Sequence, residues 1–364
     1  MNAQLAAAHW DTMTSEQRHR WTIVLTHLAA AIPAGSPAVL IDGHDHRAAL
    51  LADRLAAVLR DAGRRCVRLT EATCTTHADA RNGRAADTVV IADGSRWRAD
   101  HPADRWQLSI WVRSAPTRSS NGHPADDADI VVDLHDATWP VIQHLDRWFA
   151  PTNLWYRTEA QAFFAVRAAT WDTKFGDDLP AYAAAVTEAA IPSGGVAIDV
   201  GCGTGRALPA LRGAVGPTGT VIGVDLTPQM LDVARARATT AHAGLVLADA
   251  RRLPFPDAAA DVIFAAGLIT HLPDTDDGLR ELARVTRPGG QLVLFHPSGR
   301  AALAARHGRT LRPDEPLAET PLRFALLRTG WCLTRYDDPA HRFLAIAARQ
   351  QPGQRQSLTM PPSS

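Results

Sequence analysis

Val196-Ala-Ile-Asp199-Val-Gly201-Cys-Gly203-Thr-Gly205 is an apolar run that ends in an acid and continues into glycines at every second position. Further on, Val221-Ile-Gly-Val224 is a second apolar run, and it ends in Asp225. A buried strand that stops at a glycine turn lets a bound group approach the backbone, because glycine has no Cβ and tolerates positive φ. An acid at the tip of the next strand is placed to accept hydrogen bonds from ribose hydroxyls. The stretch reads as a site for an adenosine-containing cofactor.

Outward from it, the elements alternate. A helix follows the glycine turn through Leu208 and Leu211. After Asp225, Thr227 is a good N-cap and Pro228 stands at the first helical position, with Met230, Leu231 and Val233-Ala234 as the buried face. Leu245-Val-Leu-Ala248 reads as the third strand and ends in Asp249-Ala250, and Asp261-Val-Ile-Phe-Ala-Ala266 reads as the fourth. A helix over 275–286 and the turn Arg287-Pro-Gly-Gly290 lead into the fifth, Gln291-Leu-Val-Leu-Phe295. A helix over 318–329 precedes two strands, 331–336 and 343–348, at hairpin spacing across Asp337-Asp-Pro-Ala. Such alternation predicts an α/β domain with a doubly wound, mainly parallel sheet.

Five alternating strands closed by a hairpin resemble the seven-stranded class I S-adenosylmethionine-dependent methyltransferases, over residues 157–350. Four motifs carry the resemblance in order: Asp199-Val-Gly201-Cys-Gly203-Thr-Gly205; Asp225-Leu-Thr-Pro-Gln-Met230; Ala248-Asp249-Ala250 with Leu253-Pro-Phe-Pro-Asp257; and Arg287-Pro-Gly-Gly290. It implies a Rossmann-like sheet with an antiparallel last strand and S-adenosylmethionine as cofactor. Gly201 and Gly203 would let the backbone pass close to the donor's methionine part, with Cys202 and Gly205 in the same turn. Asp199 would hydrogen-bond near the ammonium group, and Asp225 would take the ribose hydroxyls. Leu226 and Met230 would lie against the adenine, and Asp249 would accept from its amino group beside the Ala250 N–H. Ala266, at the tip of the fourth strand, belongs with the same site. A nicotinamide-binding fold would instead need G-x-G-x-x-G with a small third position. Here that position is Arg206, and no hydride-transfer constellation follows.

Methyl transfer from a sulfonium is an in-line displacement, so alignment and exclusion of water are the enzyme's main contributions. A base is needed only where the nucleophile arrives protonated, and histidine is the usual choice. Two histidines stand at strand tips: His271 in Gly267-Leu-Ile-Thr-His271-Leu-Pro, and His296 in Phe295-His296-Pro297. They are the candidate catalytic residues; the alternatives are packing against the cofactor for His271 and a turn cap for His296. The aromatic segment 157–178 can fold over a ligand and exclude water. In it Trp171 and Phe175 either cover the ligand or pack the helices on the sheet, Trp171 being assigned to the cofactor site, and Phe163 and Phe164 are assigned to the core. Ala265-Ala266-Gly267 replaces the Asn/Asp-Pro-Pro-Tyr pattern of enzymes that methylate nucleobase or glutamine nitrogens. The acceptor is therefore expected to be a small molecule methylated on O, N or C.

The chain's 364 residues predict two domains. Zero formal net charge gives no electrostatic case for nucleic acid or an acidic membrane surface. Cys66, Cys74, Cys202 and Cys332 form no metal spacing and are scattered, as in a reducing cytoplasm. No apolar run is long enough to span a bilayer, and Gln4, His9 and Asp11 argue against a signal peptide, so a cytoplasmic protein is expected. All basic residues but Lys174 are arginine.

Ahead of residue 150, Ala38-Val-Leu-Ile41 stops at Asp42-Gly43, a helix runs over 47–62, and Cys66-Val-Arg-Leu69 follows: a βαβ unit. Further strands are read at 88–92, 107–112 and 129–133. Residues 15–150 resemble the uridine-kinase-like branch of the P-loop nucleoside kinases through four stretches. These are Ile41-Asp42-Gly43, Ala52-Asp53-Arg-Leu55-Ala, Val90-Ile91-Ala-Asp93-Gly94 and Ala128-Asp129-Ile-Val-Val-Asp133. That family's loop supplies G-x-x-x-x-G-K-[ST]. Gly43-His-Asp-His-Arg-Ala-Ala-Leu lacks the second glycine, the lysine and the hydroxyl. Arg47 could carry charge but not bind Mg²⁺. His44-Asp45-His46 reads as a solvated turn, with no metal site, and 114–127 as a polar surface loop. The expected organisation is a degenerate P-loop domain over 1–150, a methyltransferase domain over 151–350 with its lid at 157–178, and a disordered tail over 351–364. The first domain would be structural, a homodimer contact or a wall of the substrate pocket. Two other functions are open: a bifunctional enzyme with an active kinase half, and a non-catalytic cofactor-binding regulator or scaffold.

Overall fold

The structure is a computed structural model and describes residues 10–70, 87–99, 105–114, 128–150, 154–306 and 311–351. The polar loop expected after Ser114, the tail after Gln351 and Cys74 lie outside the described residues. The chain divides into two compact units, 1–162 with 305–310, and 163–304 with 311–364.

The first unit is built on β1 (Ala38–Gly43), β2 (Arg65–Leu69), β3 (Thr88–Asp93), β4 (Leu108–Arg113), β5 (Ile130–Asp133) and β6 (Val141–Leu145), in the order β2-β3-β1-β4-β5-β6. All neighbours are parallel except β6, which runs antiparallel to β5. β6 was not foreseen: it is a short edge strand in which Gln143 and His144 break the apolar run. The helix Ser15–Ala31 starts at a capping box, Thr14 Oγ1 accepting the Gln17 N–H while Gln17 Oε1 accepts that of Thr14. The helix Arg47–Asp61 buries Leu50, Leu51, Leu55 and Leu59 on one side.

The helix Leu154–Ala165 crosses the division between the units at 162/163, twelve residues beyond the expected boundary at 150. Glu159 is the reason. It is fully buried, accepts the Ile142 N–H at 2.7 Å and pairs with the buried Arg20, whose Nε donates to Pro140 O at 2.7 Å. Trp139 Nε1 adds a bond to Ala162 O at 3.0 Å. A carboxylate leaves water only for partners of this kind, so the first turns of the expected lid belong to the first core.

In the second unit, β7 (Val196–Val200), β8 (Thr220–Asp225), β9 (Gly244–Leu247), β10 (Ala260–Ala266), β11 (Thr286–His296), β12 (Trp331–Asp337) and β13 (Phe343–Arg349) form one sheet, ordered β12-β13-β11-β10-β7-β8-β9. β13 runs antiparallel between β11 and β12; every other pair is parallel. β10 is buried from Ala260 to Ala265, the continuous apolar run that a strand covered on both faces requires. Arg287-Pro-Gly-Gly290, expected as a turn before the strand, is part of β11, with a register shift where it meets β10. Phe264, Phe295, Leu208, Leu211 and Leu344 fill one core, and Tyr182 stacks edge-on against Phe295 at 4.9 Å. Because β7 has β8 on one side and β10 on the other, the strand order reverses at β7. The carboxyl ends of its neighbours therefore open a crevice there. Among the described residues, no helix is long and apolar enough to cross a membrane.

Candidate active site

The glycine turn leaves the end of β7 and is stitched to β8. Gly201 N–H and Cys202 N–H both donate to Val224 O, at 2.8 and 2.9 Å. Gly201, Gly203 and Gly205 all have positive φ, 75°, 53° and 81°, which only glycine adopts readily. Their surroundings differ. A Cβ at Gly201 would come within 3.2 Å of Leu268 Cδ1, and one at Gly205 within 2.9 Å of Leu208 Cδ1 and 3.3 Å of Ala234 Cβ. At Gly203 nothing lies within 4 Å. Gly203 is thus open to an approaching ligand, whereas Gly205 serves the contact between the two helices that follow β7 and β8.

Asp225, at the tip of β8, holds the turn. Its Oδ2 accepts the Gly203 N–H at 2.9 Å and its Oδ1 the Thr227 N–H at 2.8 Å. Thr227 begins the helix Pro228–Thr240 without the expected side-chain cap, and its own N–H is taken by Asp225. Burial pushes the Asp225 carboxyl above its ordinary range, against the pull of these backbone N–H groups. Asp199 is buried, and its carboxyl takes no hydrogen bond from the described residues. Burial, and then the charge of Asp225, push it up to about 8. Cys202 is buried beside both acids, and burial raises its thiol well above the ordinary value.

The remaining expected residues fall around this core. Met230 is buried and Leu226 half-buried at the start of the helix after β8. Ala248 N–H donates to Asp225 O at 3.0 Å, which sets Asp249 and Ala250 just past the end of β9. Asp249 is not left open: the Arg251 guanidinium grips both its oxygens, at 2.7 to 3.2 Å. The Leu253-Pro-Phe-Pro-Asp257 stretch is a bracket, with Arg284 donating to Leu253 O, Phe255 O and Asp257 Oδ1. Ala266 ends β10, and the next residue, Gly267, has positive φ and lies beside the His296 ring, 4.0 Å from where its Cβ would be. His296 Nδ1 sits 3.0 Å from Ser298 N and 2.9 Å from Ser298 O, so one turn can hold either ring tautomer. With Nδ1–H donating to Ser298 O, Nε2 is the acceptor nitrogen; with Nδ1 accepting, Nε2–H is a donor.

His271 is exposed on the short turn Ile269–His271. Phe164 lies edge-on to it at 5.0 Å and Phe163 tilted at 6.2 Å, and Trp171 meets Phe164 edge-on at 5.7 Å. Phe163 and Phe164 are half-buried members of this aromatic group, not core residues, because their part of the helix lies past the first unit's core. Phe175 has no described side chain.

A polar cluster that the sequence analysis did not assemble joins the lid to the glycine turn. Asp172 accepts from Thr204 Oγ1 at 2.7 Å, Arg206 Nε at 3.1 Å and Arg237 Nη1 at 2.6 Å. Arg206, buried, also reaches Asp178 Oδ2 at 2.5 Å, Gly176 O at 3.1 Å and Asp172 O at 3.3 Å. Burial alone would raise the Asp172 carboxyl. The bonds from Thr204 and Arg237, with the charges of Arg237 and Arg206, bring it below its ordinary value. Asp178 goes the other way, raised by burial against the pull of Arg206. The signal in the sequence was Arg206 itself, a charge between Gly205 and the buried Ala207-Leu208.

Open Cβ space at Gly203, a buried carboxyl at Asp199 without a partner among the described residues, and an acid bound to the turn at Asp225 fit a nucleoside that carries an amino-acid ammonium group. The fold and the site fit a methyltransferase domain that uses S-adenosylmethionine as its cofactor. Residues 198–294 match the family model described as a methyltransferase domain. Over 109 residues the chain is 38% identical to demethylmenaquinone methyltransferase of Bacillus licheniformis, covering 30% of this chain and 47% of that one. It thus spans about half the length of the curated relatives it matches. Among solved structures it is similar to a SAM-dependent methyltransferase from Aquifex aeolicus, at 24% identity and TM-score 0.40 over 46% of this chain and 89% of that one. It is also similar to magnesium protoporphyrin IX methyltransferase from Synechocystis with bound SAH, at 16% identity and TM-score 0.43 over 54% and 100%.

Proposed function

We propose that this chain transfers the methyl group of S-adenosylmethionine to a small-molecule acceptor. The observation that carries the reading is the antiparallel β13 inserted between β11 and β12, in the same sheet that ends β7 in the glycine turn and β8 in Asp225. A nicotinamide-type sheet has no such insertion in its 3-2-1-4-5-6 order. S-adenosylmethionine, when bound, supplies a methyl group on a sulfonium already activated for displacement. Gly201 and Gly203 give the backbone its close approach, Asp199 holds the ammonium group and Asp225 the ribose hydroxyls. Leu226 and Met230 line the adenine side, and Asp249 and the Ala250 N–H recognise its edge once Arg251 shares the carboxylate. Trp171 with Phe163 and Phe164 excludes water, and alignment without water is the main requirement of the step. His296, steadied by Ser298, and His271 face the acceptor, and His296 takes its proton where the acceptor carries one. The relatives are named for demethylmenaquinone, and the aromatic group around His271 supports a planar acceptor.

The first unit, in this reading, is a kinase-like fold that does not transfer phosphate. Between Gly43, at the end of β1, and the helix starting at Arg47 stand only His44, Asp45 and His46. A Cβ at Gly43 would come within 2.9 Å of Val112 O, so this glycine is there for β4. Asp45 Oδ1 accepts the Arg47 N–H at 2.9 Å and sets a negative charge where a phosphate would need the helix N-terminus.

Titration calorimetry with S-adenosylmethionine and with Mg-ATP tests both halves of the proposal. The expected result is binding of the first, loss of that binding in Asp225→Asn, and no heat from the second. Ligand at a hundred times its Kd stabilises by about 2.7 kcal/mol, so melting curves give an independent check. Binding of Mg-ATP alone, or full donor affinity in Asp225→Asn, refutes the assignment.

A further inference from the structure

We infer that Asp172 and Arg206 are positioning residues that latch the strap 171–178 to the glycine turn, and that the donor enters and leaves by release of this latch. The inference rests on the donor site proposed above. Thr204 is the junction: it stands between Gly203, open to ligand, and Gly205, closed by Leu208 and Ala234. Its hydroxyl donates to Asp172 and its carbonyl accepts from Arg237 Nη1 at 3.0 Å. The strap is held at three separate points, Asp172, Gly176 and Asp178, all by the one guanidinium of Arg206. Arg206 is 6% exposed, and its planar fork presents its donors in fixed directions. The strap's geometry is thus templated by a residue adjoining the turn it would cover. Asp172 in turn binds Arg237 on the helix Pro228–Thr240, whose first turn follows Asp225 directly. Movement at the latch is therefore transmitted to Gly203 through Thr204, while Arg237, in the last turn of that helix, ties the strap to the helix end far from Asp225. Neither Asp172 nor Arg206 is assigned a contact with the donor.

Lys174, the sole lysine of these 364 residues, lies within the strap, so a lysine-specific protease cuts this chain there and nowhere else. The expected result is slow cleavage of the wild type, slowed a further tenfold or more by S-adenosylhomocysteine. Asp172→Asn and Arg237→Gln should each be cut about tenfold faster without ligand and release S-adenosylhomocysteine faster by a similar factor. Cleavage by an arginine-specific protease, which samples the rest of the chain, should stay at the wild-type rate. Wild-type cleavage at Lys174 and wild-type release in both variants would overturn the latch. So would arginine-specific cleavage rising in step, which would make the cluster a general support of the fold. Cleavage without ligand judges the latch even where S-adenosylhomocysteine fails to bind the wild type, an outcome that counts against the donor site instead.

Discussion

Replacing Asp199 with Asn should make the ligand-free protein harder to melt while weakening its hold on the donor. The cause is one carboxyl group placed in a dry site beside a second. Burial and the charge of Asp225 raise Asp199 from its ordinary 3.8 to about 8. Asp225 keeps its charge more readily, because the Gly203 and Thr227 N–H groups point at it. The unfolded chain gives up the Asp199 proton near 3.8, and the folded chain keeps it until about 8. Between these values the folded state binds more protons, so stability falls as pH rises, by up to about 1.4 kcal/mol per pH unit. Asparagine has no proton to lose. Its advantage over the wild type should therefore grow by about 2 kcal/mol between pH 6 and pH 8, and the gap in melting temperature should widen by about 5 °C. In the proposed site the donor's ammonium group pairs with the charged carboxylate, and a value of about 8 leaves about one molecule in ten charged at pH 7 and about one in a hundred at pH 6. Affinity for S-adenosylhomocysteine should thus improve about tenfold from pH 6 to pH 7. Calorimetry in buffers of different ionisation heat should find close to one proton released per ligand bound at pH 6.5. Asp199→Asn should release none. Donor binding without proton release in the wild type, or the same pH slope in the variant, would refute the reasoning.

Two further comparisons test the structure around the site. Gly203→Ala should fold at a cost of about 1–2 kcal/mol, the strain of a left-handed residue, and lose donor binding; Gly205→Ala adds a Cβ 2.9 Å from Leu208 Cδ1 and should cost about 1–3 kcal/mol more. Urea unfolding and titration calorimetry on the two variants separate the roles, and equal stabilities would show that the two glycines are not distinct. In the first unit, Glu159→Ala strands the Arg20 charge and the Ile142 N–H, and should destabilise that unit by about 3–5 kcal/mol. Hydrogen exchange at the Ile142 amide reads this directly, and unchanged protection there would disprove the anchor.

Much of the second unit was legible from short-range pattern alone. Apolar runs that end in Asp199, Asp225, Ala248 and Ala266 mark strands whose tips share one edge once the sheet is parallel. The glycines after Asp199 mark a turn wherever they occur. The hairpin spacing of 331–336 and 343–348 announced that these two strands pair antiparallel to each other, because a tight connection leaves them no other way to pair; that the last one runs against the sheet came from the resemblance. What was not legible depended on neighbours far along the chain. Gly201, Gly203 and Gly205 read alike, yet Leu268 crowds the first, nothing meets the second, and Leu208 and Ala234 close the third. Asp172 meets Thr204, Arg206 and Arg237, which lie 32, 34 and 65 residues away, so no local spacing could bring them together. The helix Leu154–Ala165 carries an amphipathic pattern that suits either unit, and Glu159 joins it to the first only because Arg20 and Ile142 are folded there to receive it. The sequence by itself determined which residues could build a nucleoside site and in what order along the sheet. The tertiary structure alone decided which glycine stands in open space, which buried acid is pushed furthest up and which side chains meet Arg206, because each depends on burial and on charges brought close only by folding.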